Sequence, residues 1–235
     1  MMAEYLSNRP YTTVVLAMSA DGKIADVKRS PARFSSPADK AHLEQQIASS
    51  NGVLFGAATL RAYGTTLSVS DPQLLQQRVR RSLPPQPVQL VASRKANFDP
   101  QLRFFRQLVP RWLLTTPAGA NHWEERPEFE RILVTEKPDT VGIDWTDAFQ
   151  QLATLGLERL AVLGGGQLVA SLVAADLIDE FWLTVCPLIL GGATAPTPVA
   201  GAGFYHALAP RLELLSIEAI EQEVFLHYRL QRPED

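Results

Sequence analysis

Four short segments carry residues able to do chemistry, and each follows an apolar run. Gly164-Gly165-Gly166 closes the run RLAVL, and a helix-like stretch begins at once. Glycines let the backbone come close to a pyrophosphate, and a new helix offers unpaired N–H groups and a positive dipole end. The spacing is not G-x-G-x-x-G, and a plain strand-to-helix turn is the other reading. Ser93-Arg94 ends the run VQLVA and joins a hydroxyl to a guanidinium. Such a pair suits the 2′-phosphate that separates NADPH from NADH, and it also suits a surface turn. Thr59 lies in the first turn of a helix-like stretch after GVLFG, where it can hold a phosphate or ribose oxygen or simply start the helix. The fourth segment, 17–25, ends a strand-like run in small residues from Ala17, then brings Asp21, Gly22 and Lys23. Small residues let a flat nicotinamide ring lie against a sheet. Asp21 and Lys23 either act on a substrate or shape the turn.

The elements that must position these residues follow from the pattern. Runs rich in β-branched and apolar residues predict strands at 11–18, 52–56, 87–94, 111–117, 131–136, 159–166 and 179–190. Alternation predicts a closing pair at 211–220 and 223–230. Helices are expected at 36–50, opened by Ser36-Pro37, at 57–63 closed by Gly64, and near 74–82. Two more are expected at 145–156 and 167–177. Strand and helix alternate, so the reading is an α/β fold with a mostly parallel, doubly wound sheet and a C-terminal antiparallel pair. Ligands of such sheets bind beyond the carboxyl ends of the strands, where all four segments fall. The stretch 65–87 reads as a surface excursion, and 9–230 as one domain with tails at 1–8 and 231–235.

Composition narrows the function classes. The 235 residues are 46% hydrophobic and 20% charged, with net charge −3, which argues against disorder and against a nucleic-acid or membrane-surface partner. The local basic cluster Arg78, Arg80, Arg81 reads as a solvated helix face or as a phosphate site. One cysteine, Cys186, excludes an intrachain disulfide and a cysteine-rich zinc site, and no metal is expected. It sits in an apolar run and reads as core. The start MMAEYLSNRP has no apolar signal region, and no stretch reaches the roughly 18 apolar residues of a spanning helix, so a cytoplasmic location is expected.

Together, four blocks resemble the reductase half of the bacterial riboflavin-pathway deaminase/reductase and its stand-alone pyrimidine reductase relatives. They are RPYTTVVLAMSADGKIA, SSPADKAHL, GAATL and LGGGQLVASLVAADLIDEFWLTVCPLILGG, in that order, within about 9–229. The resemblance implies a dihydrofolate-reductase-like fold, a homodimer, and NADPH as cofactor. It implies reduction of the ribose of a 5-amino-6-(ribosylamino)pyrimidine 5′-phosphate to ribityl. It implies cofactor contacts at Ala17, Thr59, Ser93, Arg94, Gly164, Gly165, Gly166, Gln167 and Leu168, with Ser35, Ser36 and Asp39 near the substrate. The deaminase half needs H-x-E and P-C-x-x-C to hold zinc, which one cysteine cannot supply.

Three positions depart from the family pattern: Leu163 stands where an acid usually precedes the glycines, Ile47 where an arginine is usual, and Tyr63-Gly64-Thr65 where Asp-Asp-Pro is usual. Asp71-Pro72 with Arg78 reads as that last motif displaced. Asp21, Lys23 and Glu180 are the candidate proton donors, and Arg78 or Lys40 the candidate cation for a 5′-phosphate. Two rival readings follow: a reductase of another pterin or carbonyl, and a nucleotide-binding or regulatory protein without catalysis.

Overall fold

The structure is a computed structural model that describes residues 8–138 and 142–232. The leader reading of the N-terminus and most of both expected tails lie outside the described residues. In chain order the elements begin with β1 (Tyr11–Ser19), α1 (Pro37–Ala48), β2 (Gly52–Gly56), α2 (Ala57–Tyr63), α3 (Pro72–Arg80), β3 (Val88–Ala92), β4 (Arg111–Thr115), α4 (Pro117–Ala120) and β5 (Arg131–Val134). They continue with α5 (Trp145–Thr154), β6 (Arg159–Val162), α6 (Gly166–Ala174), β7 (Glu180–Cys186), β8 (Arg211–Ile220) and β9 (Glu223–Gln231). The expected elements are all present. The additions are α4 and two 3-10 turns, at Arg103–Arg106 and His206–Leu208, too short to leave a period in the sequence. β7 stops at Cys186, short of the expected 190.

The chain packs as two compact units, one of Met1–Tyr11 with Glu44–Ala161, the other of Thr12–Leu43 with Val162–Asp235. In the first, strands run in the order β5-β4-β3-β2-β6. Parallel registers such as Leu54↔Leu90, Leu90↔Trp112 and Leu113↔Ile132 join β2 to β5. Val53, Leu54, Leu90, Val91, Leu113 and Leu114 are fully buried. That explains unbroken apolar runs: a parallel sheet is covered on both faces, so alternation disappears. Asp71 caps α3, accepting from Gln73 N–H at 2.6 Å, and Asp144 caps α5, accepting from Thr146 N–H at 3.0 Å.

In the second unit β1 pairs parallel with β7, β7 antiparallel with β9, and β9 antiparallel with β8. β8 and β9 form the expected closing pair, with a register shift between Leu214 and Ser216. The Ser36 hydroxyl accepts from Asp39 N–H at 3.1 Å, the cap that Ser36-Pro37 predicted for α1.

Candidate functional site

In the second unit, the segment after β1 is a closed turn built around Ser19. Its hydroxyl accepts from Lys23 N–H at 2.9 Å and donates to Asp21 Oδ1 at 2.6 Å. Gly22 takes φ +76°, a left-handed conformation open to glycine. Asp21 also accepts from Leu190 N–H at 3.0 Å and Gly191 N–H at 2.7 Å. The Ser19 hydroxyl, with those backbone N–H groups, holds the Asp21 carboxyl down at about 2. Asp21 is therefore an ionised clamp tying the turn after β1 to the turn after β7, and it has no proton to give at neutral pH. Lys23 rides on that clamped turn, and its ammonium has no partner among the described residues.

Glu180 is corrected by position. It opens β7 opposite Thr13 of β1, whereas Cys186, at the other end, faces Ser19. Its carboxylate lies 3.0 Å from His227 Nε2 and 3.8 Å from Arg229, so it belongs to an ion cluster at the amino end of the strand. Ligands of these sheets gather at the opposite end.

The glycine segment forms a bend into α6. Gly164 takes φ +105°, and Gly165 caps the helix with no side-chain hydrogen bond. The N–H groups of Gly166, Gln167 and Leu168 precede the first intrahelical bond, Val169 N–H to Gly165 C=O at 3.1 Å. A Cβ on Gly166 would collide with the Thr197 carbonyl, so the bend is closed against 197–200 by backbone contact. Gln167 is exposed, Leu168 is buried, and Leu163 is half-buried. An uncapped nine-residue helix start with free N–H groups fits a phosphate. Ala17 faces Thr184 in the β1–β7 register.

Ser35, Ser36 and Asp39 meet a cluster that sequence reasoning missed. Ser36 donates from its hydroxyl to Glu223 Oε2 at 2.5 Å and from its backbone N–H to Oε1 at 3.0 Å. Cys186 donates to Glu223 Oε1 at 3.3 Å. Asp39 is 5% exposed and Glu223 4%. Burial raises the Asp39 carboxyl, the Glu223 charge pushes the same way, and hydroxyls of Thr184 and Ser35 oppose them. Burial and Glu223 push the Cys186 thiol up to about 12, which makes it an inert core residue, as its apolar run predicted. His42 packs edge-on to Trp182 at 4.6 Å, and burial lowers its pKa. Glu223 left one trace in the sequence, an acid directly before the apolar alternation of β9.

In the first unit, the loop after β3 is held by its carbonyls. Thr115 Oγ1 donates to Ser93 C=O at 2.6 Å and Thr116 Oγ1 to Arg94 C=O at 2.8 Å. The Ser93 hydroxyl accepts from Ala96 N–H at 3.0 Å. Arg94 is exposed on this loop, and Thr59 is half-buried in α2. Arg78 is the clearest correction. It is 1% exposed and donates to the carbonyls of Pro84, Ala48 and Ser50 at 2.8, 2.8 and 2.7 Å. It ties α3 to the end of α1, which leaves Lys40, exposed on α1, as the remaining candidate cation. Ile47 is fully buried in the core.

The RibD C-terminal domain model matches residues 10–226. The chain belongs to the RibD C-terminal domain family. Two archaeal relatives align with this RibD C-terminal domain over nearly their whole length. The 2,5-diamino-6-ribosylamino-4(3H)-pyrimidinone 5′-phosphate reductase of Archaeoglobus fulgidus is 28% identical over 91% of this chain and 94% of its own. The protein of the same name from Methanothermobacter thermautotrophicus is 27% identical over 95% and 99%. A pyrimidine reductase-like protein of Corynebacterium diphtheriae shares the fold at TM-score 0.80 and 18% identity, covering 97% of this chain and 94% of its own. Dihydrofolate reductase from Enterococcus faecalis, complexed with NADP(H), shares it at TM-score 0.52 and 15% identity, covering 94% and 97%. The expected dihydrofolate-reductase-like fold and family membership are thus both found.

Proposed function

We propose that residues 9–230 act as one NADPH-dependent reductase domain in riboflavin biosynthesis. Its substrate is 2,5-diamino-6-ribosylamino-4(3H)-pyrimidinone 5′-phosphate or its 5-amino-6-(5-phosphoribosylamino)uracil relative, whose ribosyl group becomes ribityl. The observation that carries this reading is the alignment with the two archaeal reductases over 91% and 95% of the chain.

The residues present fit the cofactor. The uncapped start of α6 suits its pyrophosphate, with Gly164 to Leu168 supplying backbone N–H groups. Ser93 and Arg94 are assigned to its adenosine phosphate, and Thr59 and Ala17 to further contacts. When bound, NADPH supplies a hydride for ribose C1′ of the ring-opened imine. The C1′–N double bond becomes single, and a proton must reach the nitrogen. Of Asp21, Lys23 and Glu180, we assign that proton to Lys23, whose ammonium has no partner among the described residues. The Ser19–Asp21 clamp holds the turn that carries it.

One set of observations favours a second reading, a related reductase with a different pterin or carbonyl substrate. Ile47 is core and Arg78 is spent on carbonyls, so neither offers a charge to a substrate phosphate. The assay is NADPH oxidation with the ribosylamino-pyrimidine phosphate. Turnover supports the assignment; NADPH binding without turnover on this compound, but with turnover on another carbonyl, moves the chain to the second reading.

A homodimer is part of the proposal. On β8, Leu212, Leu214 and Ile217 are 41%, 51% and 64% exposed, an apolar edge strand suited to a second copy. Light scattering at micromolar concentration tests it. A cytoplasmic location is proposed from the single thiol; no described helix is long and apolar enough to cross a membrane.

A further inference from the structure

Asp39 meets the sheet of the second unit near the carboxyl ends of β1 and β7. Its carboxylate accepts from the hydroxyls of Thr184 and Ser35. Thr184 stands two residues before the end of β7, and its register partner is Ala17, assigned above to the cofactor. One strand spacing, about 4.8 Å, separates those two backbones. Asp39 and Thr184 are both buried, at 5% and 3% exposure. The carboxyl therefore sits one strand away from the residue given to the cofactor, at the end of the sheet where ligands gather.

Two acids share this ground, and their hydrogen bonding differs. Glu223 is occupied: Oε1 takes the Ser36 N–H and the Cys186 thiol, and Oε2 takes the Ser36 hydroxyl. Asp39 receives two hydroxyls, whereas an ionised carboxylate offers about four lone-pair sites. Among the described residues no lysine or arginine pairs with it. Burial and the Glu223 charge both oppose its ionisation, and burial also disfavours the cationic form of the neighbouring His42. A buried carboxylate short of donors and of positive charge is costly by itself. A ligand that brings N–H groups to it offsets that cost.

The two candidate substrates differ at one group of the base. The diaminopyrimidinone carries an amino group at C2 beside the ring N3–H. Those two parallel donors match the two oxygens of a carboxylate, as a guanidinium does. The uracil carries a carbonyl at C2, so its N3–H stands between two oxygens that repel a carboxylate. The N3–C2 edge lies across the ring from C6, which bears the ribosyl nitrogen. A carboxylate holding that edge leaves C1′ free to face the nicotinamide.

We propose that Asp39 reads the N3–C2 edge of the substrate base and selects the 2-amino pyrimidinone over the uracil. The inference rests on the reductase reading above and decides between the two substrates that it leaves open. Thr184 and Ser35 are positioning residues, whose hydroxyls aim the carboxylate.

Steady-state kinetics with the two ribosylamino phosphates test it, together with calorimetry on the bare bases 2,5,6-triamino-4-pyrimidinone and 5,6-diaminouracil. Wild type favours the 2-amino compound roughly tenfold or more, both in kcat/KM and in base affinity. Asp39→Asn presents one donor and one acceptor, which match a carbonyl and the N3–H of the uracil. It lowers kcat/KM for the 2-amino compound roughly tenfold or more and moves the preference toward the uracil, while NADPH affinity stays within a few-fold and reports an intact fold. A merely structural role would lower both substrates alike. Equal binding of the two bases by wild type, or an unchanged preference in folded Asp39→Asn, overturns the assignment and leaves the reductase reading standing. No turnover of either phosphate, with the 2-amino base still selected, sinks the reductase reading and supports the recognition by Asp39.

Discussion

Ser36 grips both oxygens of the buried Glu223 carboxylate, with its hydroxyl at 2.5 Å and its backbone N–H at 3.0 Å. One residue thereby caps α1 and locks it to the start of β9. Removing the acceptor leaves two donors of Ser36, and the Cys186 thiol, facing a hole. Glu223→Ala is therefore expected to lose roughly 1–3 kcal/mol of stability, and Glu223→Gln clearly less. Urea unfolding of the three proteins measures it; equal losses would show that the carboxylate's hydrogen bonds are not the source.

Asp39 gives the stability a pH dependence of unusual sign. Burial raises its carboxyl in the folded chain, with Glu223 pushing the same way and the nearby His42 opposing. Between the ordinary carboxyl range and the raised folded value, the folded chain holds a proton that the unfolded chain has lost. Raising pH through that window withdraws stability. Asp39→Asn should flatten this slope in melting temperature against pH. A variant with the wild-type slope would assign the effect to another group.

The clamp at Asp21 and the ammonium of Lys23 predict separable kinetic effects. Lys23→Met should lower kcat by roughly 10²–10⁴-fold while leaving dinucleotide affinity within a few-fold. Asp21→Asn keeps the shape but weakens three hydrogen bonds, so it should lower kcat less and loosen the turn. The Asp21 carboxyl is held at about 2, below the ordinary value of 3.8. Its contribution is thus complete above pH 4 and fades as pH falls through about 2. Full kcat in Lys23→Met would remove Lys23 from the chemistry.

Arg78 offers a direct contrast between a ligand and a brace. Arg78→Met should cost roughly 2–5 kcal/mol of stability, because the buried carbonyls of Ala48 and Ser50 lose a charged donor. The substrate KM should stay put at temperatures where the variant is folded. A raised KM with unchanged unfolding midpoint would restore Arg78 to the substrate.

The order of strands and helices was readable along the chain because local signals carry it: unbroken apolar runs for parallel strands, alternation for β8 and β9, and the Ser36 cap. The glycine bend was readable too, since a strand, three glycines and a helix leave little choice of local geometry. Polar side chains were another matter. Arg78 reads as a surface cation until its acceptors arrive from Ala48 and Ser50, some thirty residues away. Asp21 reads equally as a catalytic acid or a turn residue until Leu190 and Gly191 fold onto it. Glu223 goes unnoticed until Ser36 meets it from the far side of the sequence. A carboxylate or guanidinium takes its role from burial and from partners, and only the tertiary structure brings those partners within reach.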